Sequence, residues 1–91
     1  MITLGGNIKL EGFDDLEPGK LIVVKKMVGL FAKKVSEKIG ELDSFEVTKA
    51  EDSVSVKAVS KEKTLEEKAA DKNLFVAISK ALMGIEEKAK Q

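Results

Sequence analysis

Apolar and polar residues alternate strictly at the start of the chain. Ile2, Leu4, Ile8 and Leu10 fall on one side, and Thr3, Asn7, Lys9 and Glu11 on the other. Period two predicts a half-buried strand over residues 2–11, with Gly5 and Gly6 marking a bulge or a close backbone approach. Residues 12–19 hold two glycines, two aspartates and the only proline, Pro18, and read as a loop. From about Gly19 the period changes. Leu21, Val24, Val28, Phe31, Val35 and Ile39 recur at steps of three and four, which is one face of a helix ending at Gly40. Leu42 is expected to pack just beyond it.

Alternation returns in residues 44–50, with Phe45 and Val47 inward, and in 54–60, with Val54, Val56 and Ala58 inward. The Glu51–Asp52–Ser53 turn between them makes an antiparallel hairpin. Residues 61–71 are ambiguous. Thr64 followed by Glu67 fits a helix capping box, and propensity favours helix. Leu65, Glu67 and Ala69 fit equally the weak inner face of an edge strand. A last helix runs from residue 72 to about 89, capped by Asp71, with Leu74, Phe75, Ile78, Ala81, Leu82, Ile85 and Ala89 on its core face.

Amphipathic helices beside strands with polar outer faces build two layers. The expected fold class is α+β, with both helices on one face of an antiparallel-rich sheet. The length fits a single domain, residues 1–91, with a modest core.

Composition narrows the chemistry. The chain has no His, Cys, Tyr, Trp or Arg. The usual general base, the strongest nucleophile and the commonest zinc ligand are therefore missing, and disulfides are excluded. We expect a binding protein rather than an enzyme, with no cofactor and no metal. Lys or Glu interrupts every apolar run, so no membrane partner is expected, and the first residues lack the pattern of a secretory signal. A cytoplasmic location follows as an expectation.

The zero net charge is segregated. Residues 19–40 carry +5 and residues 72–91 carry +2, while residues 1–18 carry −3 and residues 41–71 carry −4. Because local field governs encounter with a polyanion, a zero total of this kind leaves such a partner open.

The closing stretch AADKNLFVAISKALMGIEEKAKQ, residues 69–91, resembles the end of the ribosome hibernation-promoting and ribosome-associated translation inhibitor family. Leu74, Phe75, Ala77, Ile78, Ala81 and Ile85 sit at the matching places. GNIKLEGF resembles the family's first strand, and FAKKVSEKI its lysine-rich first helix. The chain departs from the pattern in lacking Arg, at Gly84, which interrupts the last helix, and at Glu87, where a basic residue is expected. The resemblance implies a two-layer β-α-β-β-β-α sandwich, in which residues 63–70 are the fourth strand of a four-stranded sheet. It also implies a ribosome or structured-RNA partner.

The candidate RNA-binding residues are Lys25, Lys26, Lys33 and Lys34 of the first helix with Lys80, Lys88 and Lys90 of the second. Lysine is a point charge suited to phosphates and lacks the fork that reads bases. The plainer reading is a solvated helix face, with Lys33 and Glu37 paired at i,i+4. A second apolar row, Val23, Met27 and Leu30, with Val76 and Met83 on the other helix, is a candidate interface for a homodimer or another partner. Its plainer reading, which we favour, is a core flank with scattered exposed residues. Asp14, Asp15 and Glu17 lack calcium-loop spacing and read as a solvated loop. The alternative to RNA binding is an oligomerising module that uses the apolar row or a sheet edge.

Overall fold

The computed structural model describes residues 2–4 and 7–90. The elements in chain order are β1 (Ile2–Leu4), β2 (Ile8–Glu11), α1 (Pro18–Ile39), β3 (Leu42–Lys49), β4 (Ser53–Ser60), β5 (Thr64–Ala70) and α2 (Leu74–Ala89). The strands form one sheet in the order β1-β2-β3-β4-β5, so the fold is α+β with a mixed sheet. Only β2 and β3 are parallel, and α1 joins them.

The α+β class and two-layer plan match the expectation, but the sheet has five strands instead of four. The first alternating stretch is two short strands that pair antiparallel, Ile2 with Leu10 and Leu4 with Ile8. Strict alternation survives a hairpin, so the pattern alone does not reveal the reversal. The bulge expected at Gly5 and Gly6 lies outside the described residues.

Residues 64–70 are a strand, as the family resemblance implied, despite their helix propensity. They pair with β4 along their whole length and lean Leu65 and Ala69 against the core. Tertiary pairing overrides a weak local preference. The expected Asp71 cap is replaced by Asn73, whose side chain accepts from Phe75 N at 2.9 Å and Val76 N at 3.3 Å. Asp71 instead closes the β4–β5 ladder, donating its N–H to Asp52 O at 3.3 Å, so the helix begins later than residue 72.

The core lies between the sheet's inner face and the helices. Ile8, Phe45, Ala58 and Leu65 line up across the strands, as do Leu10, Val47 and Val56. Val24, Val28, Ala32 and Val35 of α1 and Ala77, Ile78, Ala81, Leu82, Ile85 and Ala89 of α2 cover them. Phe13, in what reads as loop, is fully buried. The turn that delivers it passes through Gly12 at φ +86, where a Cβ would stand 2.5 Å from Lys49 O. Pro18 occupies the first turn of α1, where its missing N–H is harmless, and Gly40 at φ +92 ends the helix.

β3 and β5 point the same way, because each is antiparallel to β4. A short link joins α1 to β3, and another joins β5 to α2. The two helices therefore run in the same direction, side by side over one face, packed on each other. No helix is long and apolar enough to cross a membrane among the described residues.

Candidate nucleic-acid interface

At about 100° per residue, α1 turns a single face to solvent. Ile22, Val23, Lys26, Leu30 and Lys33 lie on it and are exposed. Lys25 and Lys34 are half-buried on opposite flanks. The Lys25 flank also carries Gly29 and Ser36, which border a groove with Asn7 and Ile8 of the β1–β2 side. The other flank carries Met27 and Phe31, and there Lys34 Nζ stands 5.0 Å from the centroid of the Phe31 ring. A cation over a ring face in this geometry is modestly attracted and held in place.

None of Lys25, Lys26, Lys33 and Lys34 forms an ion pair among the described residues. The Lys33–Glu37 pair that helical spacing suggests is likewise absent from them.

The lysines of α2 are surrounded differently. Lys80 Nζ lies 3.1 Å from Asp71 Oδ2. Lys88 Nζ lies 3.7 Å from Glu67 Oε2 and also donates to the carbonyl of Glu66. Lys90 Nζ lies 3.6 Å from Glu87 Oε1. The Asp71 carboxyl is held below its ordinary value, first by the N–H of Asn73 at 2.9 Å and then by Lys80.

The seven candidate lysines thus do not form one uniform ridge. Lys26 and Lys33 stand on the outer surface of α1, and Lys80 and Lys90 on that of α2. Lys25 lies on the margin toward β1 and β2. Lys88 turns down over the edge at β5. Sequence periodicity placed them on the helices but carried no sign of their partners, which for Lys80 and Lys88 are nine and twenty-one residues distant in the chain.

Of the candidate interface residues, Val23, Leu30, Val76 and Met83 are exposed, and Ile22, not singled out in the sequence, is exposed with them at 54%. Met27 does not belong to that row: it packs, partly buried, against the core. Its position on the α2-facing flank explains this.

The sheet's outer face carries a row of alternating charge, Lys9, Glu46, Lys57 and Glu66, each directly across from the next. Opposite charges at facing positions favour the observed register and leave this face close to neutral. No three acidic side chains gather closely enough to hold a cation among the described residues, the 14–17 loop included.

No family model matches the chain, and no curated protein matches it. Among solved structures, the N-terminal domain of Protein Y from Thermus thermophilus matches with a TM-score of 0.65 at 16% identity, over 93% of this chain and 97% of that one. At this identity the likeness shows the fold. The two-layer α+β plan is thus the one implied by the resemblance of the closing stretch, with five strands in place of four.

Proposed function

We propose that this protein is a non-catalytic binding protein of the cytoplasm that docks on the ribosome or another structured RNA. The helix face makes the contact, and the lysines meet phosphates. The observation that carries this reading is the α1 surface, where Lys26 and Lys33 stand exposed with no acidic partner among the described residues. Each would release counterions on meeting a phosphate without first giving up an ion pair. The resemblance of residues 69–91 to the hibernation-factor family, together with the fold shared with Protein Y, supports the choice of the ribosome among polyanions. Lys25 and Lys34 flank the contact, while Lys80, Lys88 and Lys90 contribute less because acids offset them.

Contacts of this kind position a protein without reading sequence. Without an exposed aromatic ring beside the lysines, the preferred target is folded RNA recognised by backbone and shape, not unstacked bases. Co-sedimentation with ribosomes at two salt concentrations tests the reading. Association that weakens with salt, from a monomeric free protein, is the expected result. A protein that ignores ribosomes even at low salt would overturn it.

A second reading has its own observation. Ile22, Val23 and Leu30 leave an apolar strip on the same α1 face. A stable dimer through that strip, indifferent to ribosomes and lost on Leu30→Lys, would put an oligomerising module first.

A further inference from the structure

The edge of the sheet at β5 carries an unusual side-chain arrangement. β5 is an outer strand of seven residues, whereas the opposite edge, β1, has three. Outer strands present unpaired backbone groups that invite another strand. The hairpin bond from Ser60 N to Lys63 O and the bond from Asp71 N to Asp52 O bracket the β4–β5 ladder. They fix its parity, so Lys63, Leu65, Glu67, Ala69 and Asp71 bond to β4. The backbone groups of Thr64, Glu66, Lys68 and Ala70 therefore point outward along the open edge.

Two of those central groups are taken by side chains. The Glu66 carbonyl accepts from Lys88 Nζ, and the Lys68 N–H donates to Glu67 Oε1 at 3.3 Å. The other oxygen of Glu67 faces Lys88 at 3.7 Å, joining the two caps. Glu67 shares a register row with Val56, Val47 and Leu10, so it is a carboxylate on the core side of an edge strand. It fits there because α2 has no side chain at Gly84. A Cβ at Gly84 would stand 2.6 Å from Cγ of Glu67.

We propose that Glu67, Lys88 and Gly84 form a lock that keeps β5 from pairing with β5 of a second copy of this chain. The second copy is the occupant that the charges fit. An antiparallel self-pairing centred on Glu67 sets Glu66 opposite Lys68 twice and Leu65 opposite Ala69 twice. Opposite charges then meet on the outer face and small apolar groups on the inner one. The bonds of that pairing run between residues 66 and 68 of the two copies. They require the Glu66 carbonyl and the Lys68 N–H, the two groups the lock covers. The same pairing brings Glu67 against Glu67 at the dyad, a second barrier from the same side chain. The lock lies at the sheet edge, away from the outer face of α1, and stands independently of the RNA reading.

The test is the mass of the folded protein by sedimentation equilibrium, with amide hydrogen exchange to locate any new pairing. The unmodified chain is expected to be monomeric with a protected Lys68 N–H. Glu67→Thr with Lys88→Met removes both caps and the clash. Its mass should double over the same concentration range, with new protection confined to Thr64–Ala70. Glu67→Thr alone frees the Lys68 N–H and removes the clash but leaves Lys88 on the Glu66 carbonyl, so a smaller rise in mass with the same protection pattern is expected, should the double variant not fold. Gly84→Ala displaces Glu67 without altering either charge, and exchange at Lys68 should quicken. Lys80→Met removes a different ion pair from the same helix and should stay monomeric. A folded, unlocked variant that remains monomeric overturns the proposal. So does a dimer protected on α1 instead, or an unmodified protein already paired through β5.

Discussion

The two helices lie side by side on the same sheet, run the same way and both carry lysines, yet they do different work. α1 holds six lysines and one glutamate, and α2 two lysines and two glutamates. α2 buries six residues and α1 four, although α1 is the longer helix at 22 residues against 16. α2 is the anchor: its two lysines bind acids of β5 and of the link after it, and Lys90 just beyond it binds Glu87. α1 is held by a narrower stripe, and the lysines of its outer face are left to solvent. The difference shows that a count of basic residues overstates a binding surface. What decides is whether an acid already stands within reach, since a paired lysine must exchange one anion for another.

The largest effect that would break this contrast concerns the anchor. Ile78 is fully buried in α2, while Phe31 of α1 is half-buried. Ile78→Ala should destabilise by about 2–5 kcal/mol. Phe31→Ala should cost less, because part of its ring already faces water. Denaturant unfolding of the two variants checks the order. Equal losses would mean that α1 anchors the layer as firmly as α2.

Next comes charge reversal. Under the proposed role, Lys26→Glu with Lys33→Glu should weaken ribosome association and shallow its salt dependence by about two units of log–log slope, roughly one per lysine. Lys80→Glu with Lys90→Glu changes net charge equally. It should do less, because Asp71 and Glu87 already offset those lysines. Lys49→Glu with Lys57→Glu on the strands should do less again, since both lie on the sheet, off the outer face of α1, and Lys57 stands between Glu46 and Glu66. Equal weakening by all three pairs would leave only bulk charge at work and remove the α1 assignment.

A smaller effect separates the two helix starts. α2 is capped by Asn73, whereas α1 begins at Glu17 without a side-chain cap. Asn73→Ala should cost about 1 kcal/mol. Glu17→Ala should leave stability nearly unchanged. Melting curves of the pair decide, and equal losses would mean that Glu17 stabilises its helix by another route.

Much of this was legible in the sequence because it is periodic. Val24, Val28, Val35, Phe45, Val47, Val54, Val56, Ile78, Leu82 and Ile85 were placed on core faces by spacing alone, and all are buried. What escaped is non-local. β5 reads poorly because its inner face includes a carboxylate, Glu67, acceptable only with Gly84 and Lys88 seventeen and twenty-one residues on. Gly84 reads as a flaw in a helix until Glu67 is seen lying across it. Phe13 sits among turn residues with no period to betray its burial. Along α1 the lysines were legible as positions, but their freedom from acids depends on which strands lie beside them. Ala32 and Ala77, both buried, lie beside the core stripes that spacing marks out.

The smallest effect sharpens the comparison at an exposed contact, the Lys80–Asp71 pair. Asp71 is held below its ordinary value of 3.8 by the Asn73 N–H and by Lys80. A carboxyl whose value is lowered on folding adds stability that is fully present above the unfolded value and is lost as pH falls through the folded one. Asp71→Asn keeps the acceptor for the Asn73 N–H but removes the charge. The melting temperature of the variant should therefore sit slightly below that of the unmodified protein at neutral pH. The gap should narrow as pH drops below about 3.8 and vanish once Asp71 is protonated. Added salt at neutral pH should shrink it too, because an exposed pair is screened. A gap that persists at low pH would show that shape, not charge, distinguishes the two side chains. Lys80 would then be less firmly held than the geometry indicates, and the charge contrast between α2 and α1 correspondingly weaker.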